Sequence, residues 1–423
     1  MTHHTLQPTV LITPSHPAAP AAGGTLDVLV RVQAPKKPEH GDLAIRPRTP
    51  LRCVEYIAAG LTPQDQLAVV AYDDQVQVPV QLTAGGNAAA IRARLEGLDD
   101  GGSTDLFAGW EQGARLLEQG AAGTLSRVLL LSDGQANHGL CDAAQIEKHV
   151  AAWQARGVTT TTVGLGRAFN EDLMIAMSRA GGGQQYYGQT AEDLHAGFDE
   201  ELSLLQALFL RQLRLKLVPA AGVICEPLGV VHTEPDGRVR LPDVAWGAEA
   251  WLLVRLHLSP AQDTDPSQPQ PLLAVAFEAL GDDGADLVQL DAMLSLPRVS
   301  AGDFKGMPED ELVARRRQEV EFAGRVEQAR ALLHAGDAKG AQRLLDRLGK
   351  DVAAHPWLKA KVEALQRLAK EDPEMSAKEM RYSVMRASRS LAALDEHVLI
   401  HANEASIPAY LLRKTEEGKG KHR

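Results

Sequence analysis

Between Leu51 and Gln206, short apolar strands alternate with helical stretches, and this rhythm limits the fold more than any other feature. Leu51, Val54, Ile57, Ala58 and Leu61 recur at helical spacing, and Thr62-Pro63 closes that helix. Strands are expected at 67–72 and 76–80, around Asp73-Asp74, followed by a short helix marked by Ile91, Leu95 and Leu98. A helix at 106–117 begins at a Thr104 cap. Strand 128–131 has no polar residue, the pattern of a strand covered on both faces. Helices at 142–155, 171–179 and 192–205 alternate with strands at 158–165 and 185–187. Such alternation implies an α/β unit over 51–206 with a doubly wound, mostly parallel sheet.

The flanks read differently. Thr9-Val10-Leu11-Ile12-Thr13 and the run from Leu26 to Val32 are strand-like, and prolines at 35, 38, 47 and 50 rule out a long regular element there. After Phe209, Leu213-Arg214-Leu215-Lys216-Leu217 alternates strictly, and Ala250–Val254 and Leu272–Ala276 are apolar. These imply a β-sandwich over 207–300, completed by the strands of 1–35. A charge-rich helical tail is expected over 308–405, with helices near 308–334, 338–348, 356–370 and 376–401; residues 406–423 are expected to be disordered. Ala331–Asp337 is similar to the turn of a tetratricopeptide-like helix pair, but one unit does not make a repeat array. Leu332, Leu333, Leu344, Leu345, Leu365 and Leu368 are expected in a bundle core, and Arg315-Arg316-Arg317 on a solvated face.

With 423 residues, the chain can form two or three domains. Its net charge of -11 excludes a general nucleic-acid surface. Residues 301–423 hold 23 Lys and Arg against 20 Asp and Glu, so the acidity lies in the first 300. Cys53, Cys141 and Cys225 are no disulfide framework and fit a reducing compartment. The sequence shows neither a signal peptide at its start nor a membrane span, so the expected location is cytoplasmic.

Two loops carry the chemical interest. Gly101-Gly102-Ser103-Thr104-Asp105 precedes a helix, and Leu129-Leu130-Leu131-Ser132-Asp133-Gly134 ends a strand. Together with Leu61–Tyr72, with Val163-Gly164-Leu165-Gly166 and with Gly181–Tyr187, they resemble a von Willebrand factor A (VWA) domain of the bacterial intracellular type. In that family, three loops hold Mg²⁺ or Mn²⁺ in a metal-ion-dependent adhesion site, and a partner's carboxylate fills the open position. The resemblance implies Thr104 and Asp133 as metal ligands. The first loop, Asp-x-Ser-x-Ser, is missing; Lys36–Pro47 stands in its place. Its supporting strand should be the centre of the sheet, and losing it would leave two neighbours with unpaired backbone groups. The first strand and loop are thus missing or replaced within 36–50. Leu43-Ala44-Ile45 or Val28–Val32 could fill the gap, or the seam could stay open.

The expected function is a non-enzymatic protein-interaction module with a degenerate metal site and no cofactor. It would bind a protein partner through loops 101–105 and 133–140 and the helical tail. One alternative is a Mg²⁺- or Mn²⁺-dependent binder completed by other residues; another is a metal-dependent hydrolase. Asp42 as a substitute carboxylate, and zinc at His138, Cys141 and His149, are weaker readings, because their spacing matches no strong ligand pattern. The sequence holds no nucleophile elbow, phosphate loop or His-Glu-x-x-His.

Overall fold

A computed structural model of the chain describes residues 7–36, 53–85, 88–95, 103–118, 124–166, 168–188, 190, 192–229, 231–261, 268–281, 286–352, 356–371, 376–377, 379–381, 383–384 and 391–393. It divides into two compact units, one of residues 39–208 and 282–286, the other of 1–38, 209–281 and 287–423.

In the α/β unit, α1 (Cys53–Gly60) leads into a hairpin of β1 (Gln66–Tyr72) and β2 (Val76–Ala84). Next come α2 (Ala88–Leu95), α3 (Leu106–Glu118) and β3 (Ser126–Ser132). The remaining elements are α4 (Ala143–Ala155), β4 (Val158–Leu165), α5 (Glu171–Ala180), β5 (Gly182–Gly188) and α6 (His195–Gln206). Strands β3, β4 and β5 form a parallel sheet with β4 in the middle. Helices α4 and α5 make the crossovers that parallel neighbours require. Leu106, Trp110, Ile146, Val150 and Met177 form the core on one face; Tyr56, Val163, Tyr186 and Phe198 form it on the other. Cover on both faces is the doubly wound arrangement implied by the strand-helix rhythm.

Strand β4 carries four consecutive buried threonines, 159–162. Their β-branching suits a strand, and each hydroxyl is satisfied. Thr159 donates to the Ser126 carbonyl (3.1 Å), Thr161 to Glu201 (2.8 Å) and Thr162 to the Met174 carbonyl (2.9 Å). Thr160 accepts from the Trp110 indole at 3.0 Å. Beside them, Arg127 of β3 and Glu201 of α6 form a buried ion pair at 2.5 Å. Tyr186 donates to the second Glu201 oxygen at 3.0 Å, so the buried carboxylate has both oxygens engaged.

Among the described residues the sheet is open between β1 and β3. Among the described residues, β3 pairs only with β4, and β1 only with β2. The apolar run 128–131 of β3 is only partly covered: Leu130 is buried, while Val128, Leu129 and Leu131 are half-buried. Leu43–Ile45 and Asp42 lie outside the described residues, as do 406–423. Val28–Val32 does not fill the gap. It lies within the strand Gly24–Gln33 of the second unit, paired with Thr9–Pro14 on one side and Ala248–Leu258 on the other.

That strand belongs to one sheet of the expected sandwich, with Val223–Pro227 pairing on the far side of Ala248–Leu258. The other sheet is built on Leu208–Pro219, Gln270–Gly281 and Leu287–Leu296, all antiparallel. Helices Glu311–His334, Ala338–Asp351 and Pro356–Glu371 pack around Phe322, Val326, Leu345, Val362 and Leu365. Asp310 and Asp337 cap the first two.

Two expectations fail here. The helix extrapolated from Ser376 to His401 has given way by Leu391–Ala393 to a strand pairing with Ala248–Ala250. Nor is Arg316 solvated: it is buried over the Trp251 ring, 4.9 Å from its centroid, and paired with Glu319 at 3.0 Å. Its neighbours Arg315 and Arg317 are half-buried, so charge density alone could not single it out.

Candidate interaction site at the loop ends

The end of β3 and the start of α3 bring the two singled-out loops together. A Cβ added to Gly134 would stand 3.5 Å from the Thr104 hydroxyl oxygen. Thr104 donates its N–H to the Asn137 side-chain oxygen at 2.7 Å. Its carbonyl accepts from the N–H groups of Asn137 and His138, each at 3.2 Å. The two loops are thus laced by backbone contacts. Gly101 and Gly102 lie outside the described residues.

Asp105, not Thr104, caps α3. Its carboxylate accepts from the Ala108 N–H at 2.9 Å, and its own N–H donates to the Asp73 carbonyl at 2.7 Å. Both residues are good caps, but the helix starts at Leu106, so the residue just before it has the capping geometry. The other Asp105 oxygen lies 3.5 Å from His138 Nδ1. Gly139 crosses directly over this carboxylate at φ +66°, and a Cβ there would come within 2.1 Å of it. Only glycine fits such an approach. Gln135 ties the rim to the next loop by donating to the Ala168 carbonyl at 2.5 Å. Asp133, Gln135, Asn137, His138 and Cys141 are exposed.

Beneath the loops, Tyr72 reaches from β1 to β3 and donates its hydroxyl to the Leu131 carbonyl at 2.7 Å. Burial pushes its pKa up to about 12, a hydrogen bond with Ser132 pulls it down, and the Asp133 charge pushes it up again. Tyr72 thus bridges the incomplete seam at its upper end.

A hard divalent cation takes about six oxygen ligands. Here Thr104 and Asp133 are the neighbouring candidates, while the Ser132 hydroxyl is used on the Gly134 carbonyl at 3.2 Å. Among the described residues, no group of three or more His, Cys, Asp or Glu is placed to hold a metal. Among the described residues, Thr104 and Asp133 alone supply fewer oxygens than a Mg²⁺ or Mn²⁺ takes. The zinc reading fails on position: the Cys141 thiol contacts the His138 carbonyl, while the His149 ring packs on Phe107, 5.1 Å between centroids. Asp73 behaves as a hairpin residue, accepting from the Gln75 N–H at 2.6 Å.

Sequence reasoning placed Asp105, Asn137 and His138 in the candidate loops without foreseeing the Asp105 cap or the Asn137 and His138 contacts, and it missed Tyr72. An aspartate just before an apolar helical run was a legible signal for Asp105. For Tyr72 there was none, since its role depends on a gap in the sheet.

Residues 51–200 match the sequence profile of the von Willebrand factor type A domain. An uncharacterized protein of Escherichia coli (strain K12), YfbK, is 30% identical over 210 residues, 47% of this chain and 36% of that protein's length. Among solved structures, a von Willebrand factor type A protein from Catenulispora acidiphila matches with a TM-score of 0.67 at 13% identity, over 92% of this chain and 99% of its own. The ArnB paralog VWA2 from Sulfolobus acidocaldarius gives 0.58 at 14% identity, over 90% of this chain and 99% of its own. At these identities the likeness is one of fold. No helix among the described residues is long and apolar enough to cross a membrane.

Proposed function

We propose that this chain, which carries a von Willebrand factor type A domain over residues 51–200, is a non-enzymatic protein-interaction module with a degenerate metal site. The partner contact uses the rim 133–140 with its neighbour loop 101–105, together with the helical tail, and does not need a metal. One observation carries the reading: the polar groups around Thr104 and Asp105 are used to hold the loops in shape, while a polar rim from Asp133 to Cys141 faces water. A shaped, exposed loop surface on a rigid sheet suits recognition.

The test is retention of proteins from the source organism's extract by the full chain, in Mg²⁺ and in chelator, against a Gln135→Ala/His138→Ala variant. The expected result is a partner lost with the variant and indifferent to chelator. Retention that needs Mg²⁺ or Mn²⁺ and disappears in Thr104→Ala and Asp133→Ala would instead establish the metal-dependent alternative.

A further inference from the structure

The seam between β1 and β3 is a slot rather than a closed packing. A cavity of about 210 Å³ lies there, and the same five-residue lengths of both strands line it, 66–70 of β1 and 127–131 of β3. Among the described residues, each of these strands has a strand neighbour on its other side only. Among the described residues, each therefore turns toward the cavity a row of backbone donors and acceptors without a strand partner, of which the Leu131 carbonyl is taken by the Tyr72 hydroxyl. The slot has walls as well as edges. Val54 and Ile57 of α1 contribute to its lining, as do Trp110 and Gly113 of α3. Gly113 leaves room, for a Cβ there would meet nothing nearer than Val128 at 3.7 Å. Arg127 is the single charged residue in the lining, and Glu201 already holds it.

From this geometry we propose that the slot receives an extended apolar peptide from another protein, which pairs with β1 on one edge and β3 on the other. Two free edges facing one cavity define a strand as the occupant, because a globular apolar ligand would leave both rows of backbone groups unpaired. Walls that are apolar on both sides require side chains that are apolar on both faces of that strand. Five residues span about 17 Å. The chain leading into α1, residues 37–52, offers only three consecutive apolar residues, Leu43-Ala44-Ile45, between Asp42 and Arg46. Three residues reach about 10 Å, against about 17 Å for the slot. This site is separate from the loop rim and stands or falls independently of it.

The probe is a blocked peptide of five alternating valines and leucines with a lysine at each end, titrated into the full-length chain by calorimetry. The expected result is one peptide bound per chain, with a raised Tm. A matched peptide with proline at its centre, which lacks the N–H that pairing needs, should bind at least tenfold more weakly. Gly113→Leu should fill the slot and abolish binding while keeping one cooperative melt; Gly113→Ala, a smaller change, should weaken it and guards against misfolding of the first variant. Absence of peptide binding, equal binding of the proline peptide, or full binding to a folded Gly113→Leu variant would each overturn the proposal. So would a concentration-dependent dimer abolished by Gly113→Leu, which would give the slot to a second copy.

Discussion

Val28–Val32 and Val128–Leu131 are nearly interchangeable as sequences, yet they live in opposite circumstances. The first is flanked by strands on both sides, and Val28, Leu29, Val30 and Val32 have no exposure at all. Among the described residues the second has one strand neighbour, and three of its four side chains are half-buried. An apolar strand states how much cover it needs; its neighbours determine how much it receives. In the sandwich that need is met within the chain. In the α/β unit it is met only in part, through helices on the faces and Tyr72 across the seam.

The difference can be tested by substitution. The largest expected effect is Arg127→Met, which leaves the Glu201 carboxylate buried without its cation and should cost about 3–5 kcal/mol in urea unfolding. A smaller loss would mean that water reaches β3 from the open edge. Next, Leu29→Ala should cost about 2–5 kcal/mol, whereas Leu131→Ala, on the half-covered strand, should cost about 1 kcal/mol. Equal losses would abolish the contrast between the strands. Tyr72→Phe should cost about 1 kcal/mol through its lost bond to Leu131. Its pKa is raised in the folded state, so stability due to the neutral phenol is complete below pH ~10 and is lost as pH rises through about 12. Alkaline difference absorbance should therefore show one late-titrating tyrosine that is absent from Tyr72→Phe. Smallest is the pair at the loop: Asp105→Ala should cost about 1 kcal/mol as a lost cap. Thr104→Ala should stay within about 0.5 kcal/mol, and a reversal of that order would restore Thr104 as the cap.

Much of the architecture was legible because it rests on local pattern. The period of the apolar residues separated the α/β unit from the sandwich and the helical tail, and the adjacency of the loops at Thr104 and Asp133 followed from the motifs. What escaped depends on contacts remote in sequence. Arg316 is buried because Trp251 and Glu319 meet it, and nothing in a run of three arginines marks the middle one. The tail switches from helix to strand where Leu391–Ala393 finds a free strand edge at Ala248–Ala250. Tyr72 takes its role from the Leu131 carbonyl, 59 residues away, a contact that local periodicity does not encode.

The pairing of Gln33 with Glu249 joins positions 216 residues apart, and this has a consequence for biosynthesis. Strand Gly24–Gln33 leaves the ribosome with its full apolar face before the α/β unit, and its partner Ala248–Leu258 follows only after that whole unit has been made. At about 5–20 residues per second, the wait is on the order of 10–40 s. During that interval the strand can pair only with Thr9–Pro14 and its second edge stays uncovered, so the yield of folded protein should depend on the elongation rate and on chaperones that shield that edge.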